Sequence, residues 1–418
     1  MSSKTLHIAI AGAGIGGLTA ALTLEKLGHR ITLFESANEI KALGVGINVL
    51  PHAVSVLVGL GLGDALAACA VETEALVFAN KFGQTIYRDP RGLAGGYTTP
   101  QYSIHRGALH TALLDAVRRC PNVQLRPGSR LTRYQSNAQG CDVSLTLRDG
   151  SLITEHFDLF IAADGIHSAA RAQRYPNEGP PKWNGMMMWR GTTVAKPFMG
   201  ARTMVQAGNK YAKFVVYPIE KPRGDGLQLI NWIADIRVAD GIGGTLTAPS
   251  RENWSTPGKL EDLMPTFGSW RFDWLDVPAI IANADQIFEW PMVDRDPLPH
   301  WQDGCMTLLG DAAHPMYPIG SNGATQAILD ARAIADALAE HDLVIEALAA
   351  YEARRRPMTA DIVRMNRQEG LDIILDMVHE RAPDGFARLD VVIDPAEIEA
   401  TVQRYKAAAG HRPQSASG

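Results

Sequence analysis

Glycine residues near the start of the chain have a spacing that suits phosphate binding. Gly12, Gly14 and Gly17 satisfy the pattern G-x-G-x-x-G, and Glu35 follows about 20 residues later. Backbone N–H groups at a helix N-terminus bind a pyrophosphate, and glycine lets the phosphates approach the backbone. The Glu35 carboxylate would accept a hydrogen bond from an adenosine ribose. The pattern predicts a dinucleotide site but does not distinguish FAD from NAD.

Two later segments place an aspartate beside a glycine directly after a predicted strand. Asp164-Gly165 lies within residues 162–171, and Gly310-Asp311 lies within residues 309–315. One such pair alone is more often a plain turn. Three such turns in this order along one chain make a coincidence improbable.

The elements around these turns predict how they are positioned. Residues 6–11, 17–27 and 30–35 read as strand, helix and strand, which is a β-α-β unit. Residues 106–119 have apolar side chains at helical spacing, and residues 143–147 and 157–162 read as strands. Residues 323–339 predict a long Ala-rich helix.

The middle of the chain predicts a second lobe. Between about residues 182 and 290, short aromatic-rich strands at 186–189, 211–217 and 227–236 indicate a mostly antiparallel sheet. The predicted fold class is therefore α/β, with a Rossmann-like lobe, an antiparallel β-sheet substrate lobe and C-terminal helices. The nucleotide lobe is expected at residues 1–180, with an excursion to the other lobe near 72–100, and the substrate lobe at 181–295. Residues 296–380 are expected to return to the nucleotide lobe, as a return segment, and residues 381–418 to form C-terminal helices and a flexible tail.

Composition limits the classes of function. The 418 residues are 46% hydrophobic and 20% charged with a net charge of -5, which is ordinary for a folded protein without a basic surface for nucleic acid. The four cysteines lack the spacing of a zinc site or a disulfide framework. No apolar run approaches the roughly 18 residues of a membrane span, so a cytoplasmic location is expected.

The three turns resemble the fingerprints of the group A flavoprotein aromatic hydroxylases, the family of para-hydroxybenzoate and salicylate hydroxylases. The likeness spans nearly the whole chain in the same order. It implies tightly but non-covalently bound FAD, NADH or NADPH as co-substrate without a separate domain, and O2. A flavin C4a-hydroperoxide would then hydroxylate, or oxidatively decarboxylate, a small aromatic or heteroaromatic substrate.

The resemblance also assigns cofactor-binding positions in this chain. Asp311 would bind the ribityl chain, Asp164 and Gly165 the pyrophosphate region, and Arg106 the phosphates. The N–H groups of residues 320–323 would face negative charge at flavin N1 and the C2 carbonyl. The remaining members of the predicted cofactor set are Ile15, Gly16, Ser36, Gly46, Gly320, Asn322, Gly323 and Ala324.

One segment departs from the common pattern of the family. Relatives carry Gly-Gln-Gly-Ala beside the flavin, whereas this chain carries Ser321-Asn322-Gly323-Ala324. Together with Gly44-Val45-Gly46-Ile47-Asn48 and residues 101–107, this variant is similar to the phenazine-carboxylate monooxygenase branch. The similarity does not fix the substrate.

The reaction requires an apolar cavity that excludes water and orients the ring. Tyr217 shares one strand face with Tyr211, Lys213 and Val215, and its hydroxyl could orient a phenol or carboxylate. A sheet aromatic is, however, more often core, and methionines often only fill gaps. Tyr217 and Pro318 are the catalytic candidates, and the predicted substrate contacts are Met188, Met204, Tyr217, Trp232 and Met316.

The sequence leaves several alternatives open. His314 belongs to the Gly-Asp motif and is expected to pack rather than act as a base, so no general base is named. A substrate carboxylate would pair with Arg190, Arg251 or Arg295. A flavin oxidase or dehydrogenase, and a non-enzymatic nucleotide-binding module, are the competing functions, and either a monomer or a homodimer is compatible with the chain.

Overall fold

The computed structural model describes residues 5–40, 45–241, 244–249, 256–368 and 370–408. Its strands are, in chain order, β1 (His7–Ala11), β2 (Arg30–Glu35), β3 (Gly46–Val49), β4 (Val71–Thr73), β5 (Ala75–Ala79), β6 (Thr85–Pro90), β7 (Gln101–His105), β8 (Val123–Pro127), β9 (Arg130–Ser136), β10 (Cys141–Thr146), β11 (Leu152–Phe157), β12 (Leu159–Ala162), β13 (Lys182–Ala195), β14 (Thr203–Gly208), β15 (Ala212–Pro218), β16 (Gln228–Arg237), β17 (Leu246–Thr247), β18 (Arg271–Phe272), β19 (Leu275–Asp276), β20 (Ile287–Asp294) and β21 (Met306–Leu308).

Its helices are, in the same order, α1 (Ile15–Glu25), α2 (Pro51–Gly59), α3 (Gly63–Cys69), α4 (Arg106–Arg119), α5 (Ala169–Arg174), α6 (Leu260–Phe267), α7 (Val277–Ala282), α8 (Asn322–Glu340), α9 (Val344–Arg367), α10 (Ile373–Arg381) and α11 (Pro395–Ala408). The predicted α/β fold class is confirmed, with a parallel Rossmann-like sheet, antiparallel sheets and C-terminal helices. The polar tail at residues 411–418, predicted to be flexible, lies outside the described residues.

A five-stranded parallel sheet in the order β21-β12-β1-β2-β8 forms the centre of the first lobe. Strands β1 and β12 are almost wholly apolar and buried, as expected for parallel strands covered on both faces. Helices α1, α4 and α8 pack against one another over this sheet, with α1 touching both of the others. Two smaller antiparallel sheets, β11-β10-β9 and β3-β7-β4, flank the central one.

The second lobe is built on an eight-stranded sheet in the order β17-β13-β16-β15-β14-β5-β6, with β20 also paired to β13. All its strand pairs are antiparallel except β14 with β5. Strand β13 runs for 14 residues, much longer than the predicted strand at 186–189, because it pairs with β16 along one side and β20 along the other. Helices α6 and α7 cover one face of this sheet, and α10 and α11 lie on the other.

Within the excursion predicted near residues 72–100, residues 75–90 form the β5-β6 hairpin at one edge of the large sheet. The chain then returns to the first lobe at β7 and leaves it again at β13. Within the described residues, no helix is long and apolar enough to cross a membrane.

Candidate active site

The three glycine turns converge because they leave neighbouring parallel strands at the same edge. Ala11, the last residue of β1, pairs with Ala162 of β12, and Ala162 pairs with Leu308 of β21. The turn after β12 lies directly against the first turn, since a Cβ on Gly12 would come within 2.3 Å of the Ala163 carbonyl oxygen. A site at the carboxyl ends of parallel strands is the usual position for a nucleotide in such a sheet.

The first turn also packs closely against the third. A Cβ on Gly17 would lie 1.9 Å from the Gly12 carbonyl oxygen, so any larger residue at 17 would break the junction of strand and helix. A Cβ on Gly16 would meet the Leu309 side chain at 2.6 Å. Glycine is required at 16 and 17 for close packing, while a Cβ on Gly14 would meet no atom within 4 Å and faces the open crevice.

Glu35 binds the first turn itself. Its carboxylate accepts hydrogen bonds from Ala13 N at 2.9 Å and from Ala37 N at 2.7 Å, and Ser36 Oγ donates to it at 3.1 Å. These contacts hold the end of β2 beside the glycine turn. The carboxylate retains lone pairs for a ribose hydroxyl.

Asp164 and Asp311 are the acidic residues of the second and third turns. Asp164 accepts a hydrogen bond from Ala169 N at 2.7 Å through one oxygen, while its buried Oδ1 has no protein partner. Burial raises the pKa of Asp164. Solvent reaches Asp311 through the crevice, but the surrounding protein raises the pKa of this carboxyl, against the lowering effects of His314 and Arg106.

Arg106 begins α4 and faces the same crevice. Desolvation lowers the pKa of this guanidinium, and the Asp311 carboxylate raises it. The two side chains are therefore close enough to interact electrostatically. The position suits an arginine that contacts phosphates.

The segment before α8 has an unusual backbone. Gly320 has φ 71° and Ser321 has φ 60°, so two consecutive residues are left-handed, and only the first is glycine. The Asn322 side chain is fully buried and donates to the Ile319 carbonyl oxygen at 3.4 Å rather than entering the crevice. Any contact of Asn322 with a flavin would therefore be made by its backbone. A Cβ on Gly323 would meet no atom within 4 Å, and Ala324 is half-buried at the start of the helix.

Two residues that the sequence analysis missed support this segment. Asn366 of α9 donates from Nδ2 to the carbonyl oxygens of Tyr317 at 3.0 Å and Ile319 at 3.3 Å. The Tyr405 hydroxyl of α11 lies where a Cβ on Gly320 would come within 2.3 Å. Nothing near 366 or 405 resembles a motif, so no sequence signal indicated these contacts.

The crevice fits FAD on grounds of shape and unsatisfied polarity. Open space at Gly14, Gly165 and Gly323 leaves three backbone segments accessible to a ligand. In the second of these segments, next to Gly165, the buried Asp164 Oδ1 has no hydrogen-bond partner in the protein. Backbone N–H groups at the N-termini of α1 and α8 suit the pyrophosphate and the anionic edge of the flavin.

The predicted substrate residues divide between the two faces of the large sheet. Met188, Met204 and Tyr217 lie on the face of the sheet that packs toward the crevice and the C-terminal helices. Met316 and Pro318 are not on the sheet. Met316 is half-buried, and Pro318 is exposed at the crevice. Trp232 is on the other face, where it stacks with Phe214 at 6.1 Å and donates to Thr193. The prediction that Trp232 contacts substrate is therefore wrong, because alternation along β16 directs it into the core beneath α6 and α7.

Gly46 connects the two lobes through its backbone. Its N–H donates to Asn231 Oδ1 at 2.6 Å, and its carbonyl oxygen accepts from Tyr217 Oη at 2.8 Å and from Arg190 Nη2 at 2.9 Å. A Cβ on Gly46 would lie 2.7 Å from Asn231 Cβ. Tyr217 and Arg190 thus reach the edge of the crevice from the substrate sheet. Burial raises the pKa of Tyr217, although Arg190 lowers it.

Arg190 is a buried positive charge on the face of the large sheet that carries Met188 and Tyr217. It is 7% exposed, lies 5.5 Å from the Trp290 ring centroid, and has no hydrogen-bond partner for Nε. In the part of the chain that the structure describes, no carboxylate forms an ion pair with it. By contrast, Arg295, directly after β20, is paired with Glu178 at 3.1 Å, and Arg251 lies outside the described residues.

His314 is part of the scaffold. Its Nε2 lies 2.5 Å from Asp330 Oδ2, and Arg355 Nε donates to Asp330 Oδ1 at 2.8 Å. Asp330 also accepts from Gly310 N at 3.1 Å. The buried Asp330 carboxylate therefore ties the third turn to α8 and α9.

Comparisons with known proteins agree with this geometry. Residues 5–366 match the family described as FAD binding domain. The chain is 44% identical to the phenazine 1,6-dicarboxylic acid hydroxylase PhzS of Lysobacter antibioticus, over 86% of this chain and 89% of that protein. It is 31% identical to the 3-amino-4-hydroxybenzoate 2-monooxygenase PtmB3 of Streptomyces platensis, over 92% and 91%. Among solved structures, HpxO of Klebsiella pneumoniae with FAD and uric acid superimposes with a TM-score of 0.71 at 22% identity, covering 97% and 94%.

Proposed function

This chain belongs to the FAD binding domain family and is an FAD-dependent monooxygenase of the aromatic hydroxylase type, and from this premise we propose that its substrate is a flat, fused aromatic carboxylate. NADH or NADPH is the reductant and O2 the source of the inserted oxygen. The enzyme acts as a cytoplasmic monomer or homodimer.

The observation that carries the proposal is the buried Arg190 guanidinium. The guanidinium forms no ion pair with a described residue, donates from Nη2 to the Gly46 carbonyl oxygen and leaves Nε without a hydrogen bond, so it is suited to a ligand whose anion completes its hydrogen bonding. The guanidinium fork matches the two oxygens of a carboxylate. Arg190 shares its sheet face with Met188 and packs beside Trp290, which gives the anion site an apolar, flat-sided surround.

FAD, when bound, supplies the activation of O2, and the side chains of this chain bind and orient the substrate. Arg190 holds the carboxylate, and Met188 and Met204 exclude water from the ring. Tyr217 Oη, now donating to the Gly46 carbonyl oxygen, lies on the same face and can orient a polar substituent near the crevice edge.

The proposal is tested with the purified yellow holoenzyme, phenazine-1-carboxylate and isotopically labelled O2. We expect faster NADH or NADPH oxidation with this compound and a product that contains one labelled oxygen, with or without loss of CO2. The methyl ester, which lacks the anion, is the matched control and should not stimulate turnover. Equal stimulation by acid and ester would refute the carboxylate assignment, and stimulation without incorporation of label would favour an oxidase or dehydrogenase.

A further inference from the structure

A row of hydrogen-bonded side chains crosses the small sheet β3-β7-β4 at the border between the two lobes. Thr73 of β4, Ser103 of β7 and Asn48 of β3 are 3%, 1% and 5% exposed. Thr73 Oγ1 lies 2.7 Å from Ser103 Oγ, and Ser103 Oγ lies 2.5 Å from Asn48 Oδ1. Asn48 and Ser103 are direct partners in the strand pairing, so the row is held by the sheet itself.

The hydrogen bonds of this row run in one direction. Ser103 faces the amide oxygen of Asn48, which accepts and cannot donate, so the Ser103 hydroxyl gives its only proton to Asn48 Oδ1. The Thr73 hydroxyl must then donate to Ser103. With Oδ1 fixed in this way, the amide presents Nδ2 on its other side, and no described residue accepts a hydrogen bond from Nδ2. This buried donor is therefore suited to a ligand that supplies an acceptor.

Strand β3 directs the Asn48 side chain toward the substrate lobe. Ile47 and Val49 pack with the core of the first lobe. Because side chains alternate along a strand, Gly46 and Asn48 share the opposite face. A Cβ on Gly46 would lie 2.7 Å from Asn231 Cβ of the large sheet, which shows that this face is turned to the substrate lobe.

The two ends of β3 place Asn48 where flavin and substrate would meet. At one end, the Gly46 carbonyl oxygen accepts the hydrogen bond from Tyr217 Oη of the substrate sheet. At the other end, Leu50 N donates to Thr325 Oγ1 in the first turn of α8, the helix whose N-terminus suits the flavin, at 3.2 Å. Asn48 lies between these two contacts.

We propose that Asn48 Nδ2 donates a hydrogen bond to an acceptor on the bound aromatic substrate, and that Ser103 and Thr73 are positioning residues that fix the direction of this donor. The hydrogen bond orients the ring beside the flavin. Its loss therefore lowers both the affinity for the substrate and the fraction of NADH or NADPH oxidation that yields oxygenated product. This inference rests on the proposed function and assigns a further residue to the same site.

Variants of Asn48 test the contact with the substrate. Asn48→Asp keeps an oxygen for Ser103 and replaces the Nδ2 donor by an acceptor, whereas Asn48→Ala removes the donor without adding a charge. We expect the dissociation constant for phenazine-1-carboxylate, from flavin spectral titration of the holoenzyme, to rise about three- to tenfold in Asn48→Ala and further in Asn48→Asp. Product formed per NADH or NADPH should fall in both variants. The affinity for FAD, from the fluorescence of released flavin, should stay within about twofold.

Variants of the two hydroxyls test the positioning role. Ser103→Ala should raise the same dissociation constant about threefold and lower the product yield, and Thr73→Val should act in the same direction. Thr73→Ser keeps the hydroxyl and loses the methyl group, so it should behave as the wild type. Ser144→Ala is the matched control, because it breaks a hydroxyl pair with Thr154, 2.9 Å long and exposed, in another sheet. It should change neither quantity.

Three results would overturn the inference. Unchanged substrate affinity and product yield in Asn48→Ala would exclude the contact. A loss of FAD affinity with unchanged substrate affinity would assign the amide to the flavin. A defect in Thr73→Ser but not in Thr73→Val would assign the row to packing alone. Each result leaves intact the comparison of acid and ester that tests the proposed function.

Discussion

At the scale of single residues, Arg190 is the side chain whose loss should be most specific. Replacing Arg190 by Met keeps an apolar stem of similar length and removes the guanidinium. We expect the dissociation constant for phenazine-1-carboxylate to rise about 30-fold or more, since a hydrogen bond to a charged group contributes about 2 kcal/mol. The measurement is flavin spectral titration. Arg223→Met, at an exposed arginine paired with Glu220, is the control, and a similar loss there would contradict the assignment.

Ser321 is the second informative residue because its backbone is left-handed. A non-glycine residue pays about 1–2 kcal/mol for this conformation, and glycine avoids that cost but loses more chain entropy, about 0.5–1 kcal/mol. Ser321→Gly should therefore leave the free energy of unfolding unchanged or raise it by up to about 1 kcal/mol, whereas the β-branched Ser321→Val should lower it by more than about 1 kcal/mol. Urea unfolding of the holoenzyme measures both. A Gly variant less stable than the Val variant would show that the backbone angle is not the source of the effect.

Some residues of the site could be predicted from local sequence patterns, and others could not. The turns at Gly12, Asp164 and Asp311 were predictable because each is a local pattern after a strand. Trp232 was misassigned because a shift of one residue in strand register exchanges the two faces of a sheet, and single-sequence alternation does not say which face meets the crevice. Lys213 was placed correctly on the face of Tyr217, but its partners Asp235 and Asp372 are brought to it only by the tertiary fold.

At the scale of elements, Asp330 joins α8 to α9 and to the third glycine turn. Burial alone would raise the pKa of Asp330, but His314 and Arg355 lower this pKa to about 2. The pKa of an aspartate in the unfolded chain is about 3.9. The lower pKa of Asp330 in the folded protein therefore adds about 2 kcal/mol to the free energy of unfolding above pH 4, and this contribution is lost as the pH falls toward 2. The difference in unfolding free energy between the wild type and Asp330→Asn should therefore shrink over this range in urea titrations. A difference that stays constant with pH would contradict this.

Helix α11 supports the flavin-facing segment through Tyr405. The Tyr405 hydroxyl lies 3.4 Å from Asn322 Nδ2 and 3.5 Å from Asn366 Oδ1, beside Gly320. Tyr405→Ala should release residues 318–323 and weaken FAD binding about tenfold, measured by the fluorescence of released flavin. Tyr405→Phe keeps the ring and should lose far less. Tyr87→Phe, which removes another contact of α11, the hydroxyl to Glu399, is the control.

At the scale of the whole molecule, the two lobes are not separable lengths of chain. The central sheet of the first lobe needs β21 at 306–308, and its helical layer needs α8 at 322–340. A fragment of residues 1–180 should therefore show no cooperative thermal unfolding and bind no FAD, as followed by circular dichroism and flavin fluorescence. Addition of a fragment of residues 181–418 should restore both. A cooperative, FAD-binding 1–180 fragment would refute this account.

The parallel pairing of β5 with β14 has a consequence for synthesis. The β5-β6 hairpin has left the ribosome well before its partner at residues 203–208 is made, and during that interval the apolar side chains of β5, all buried in the finished protein, are in water. At about 5–20 residues per second the delay lasts several seconds or more. The nascent chain is therefore expected to depend on a chaperone that shields this hairpin until β14 arrives.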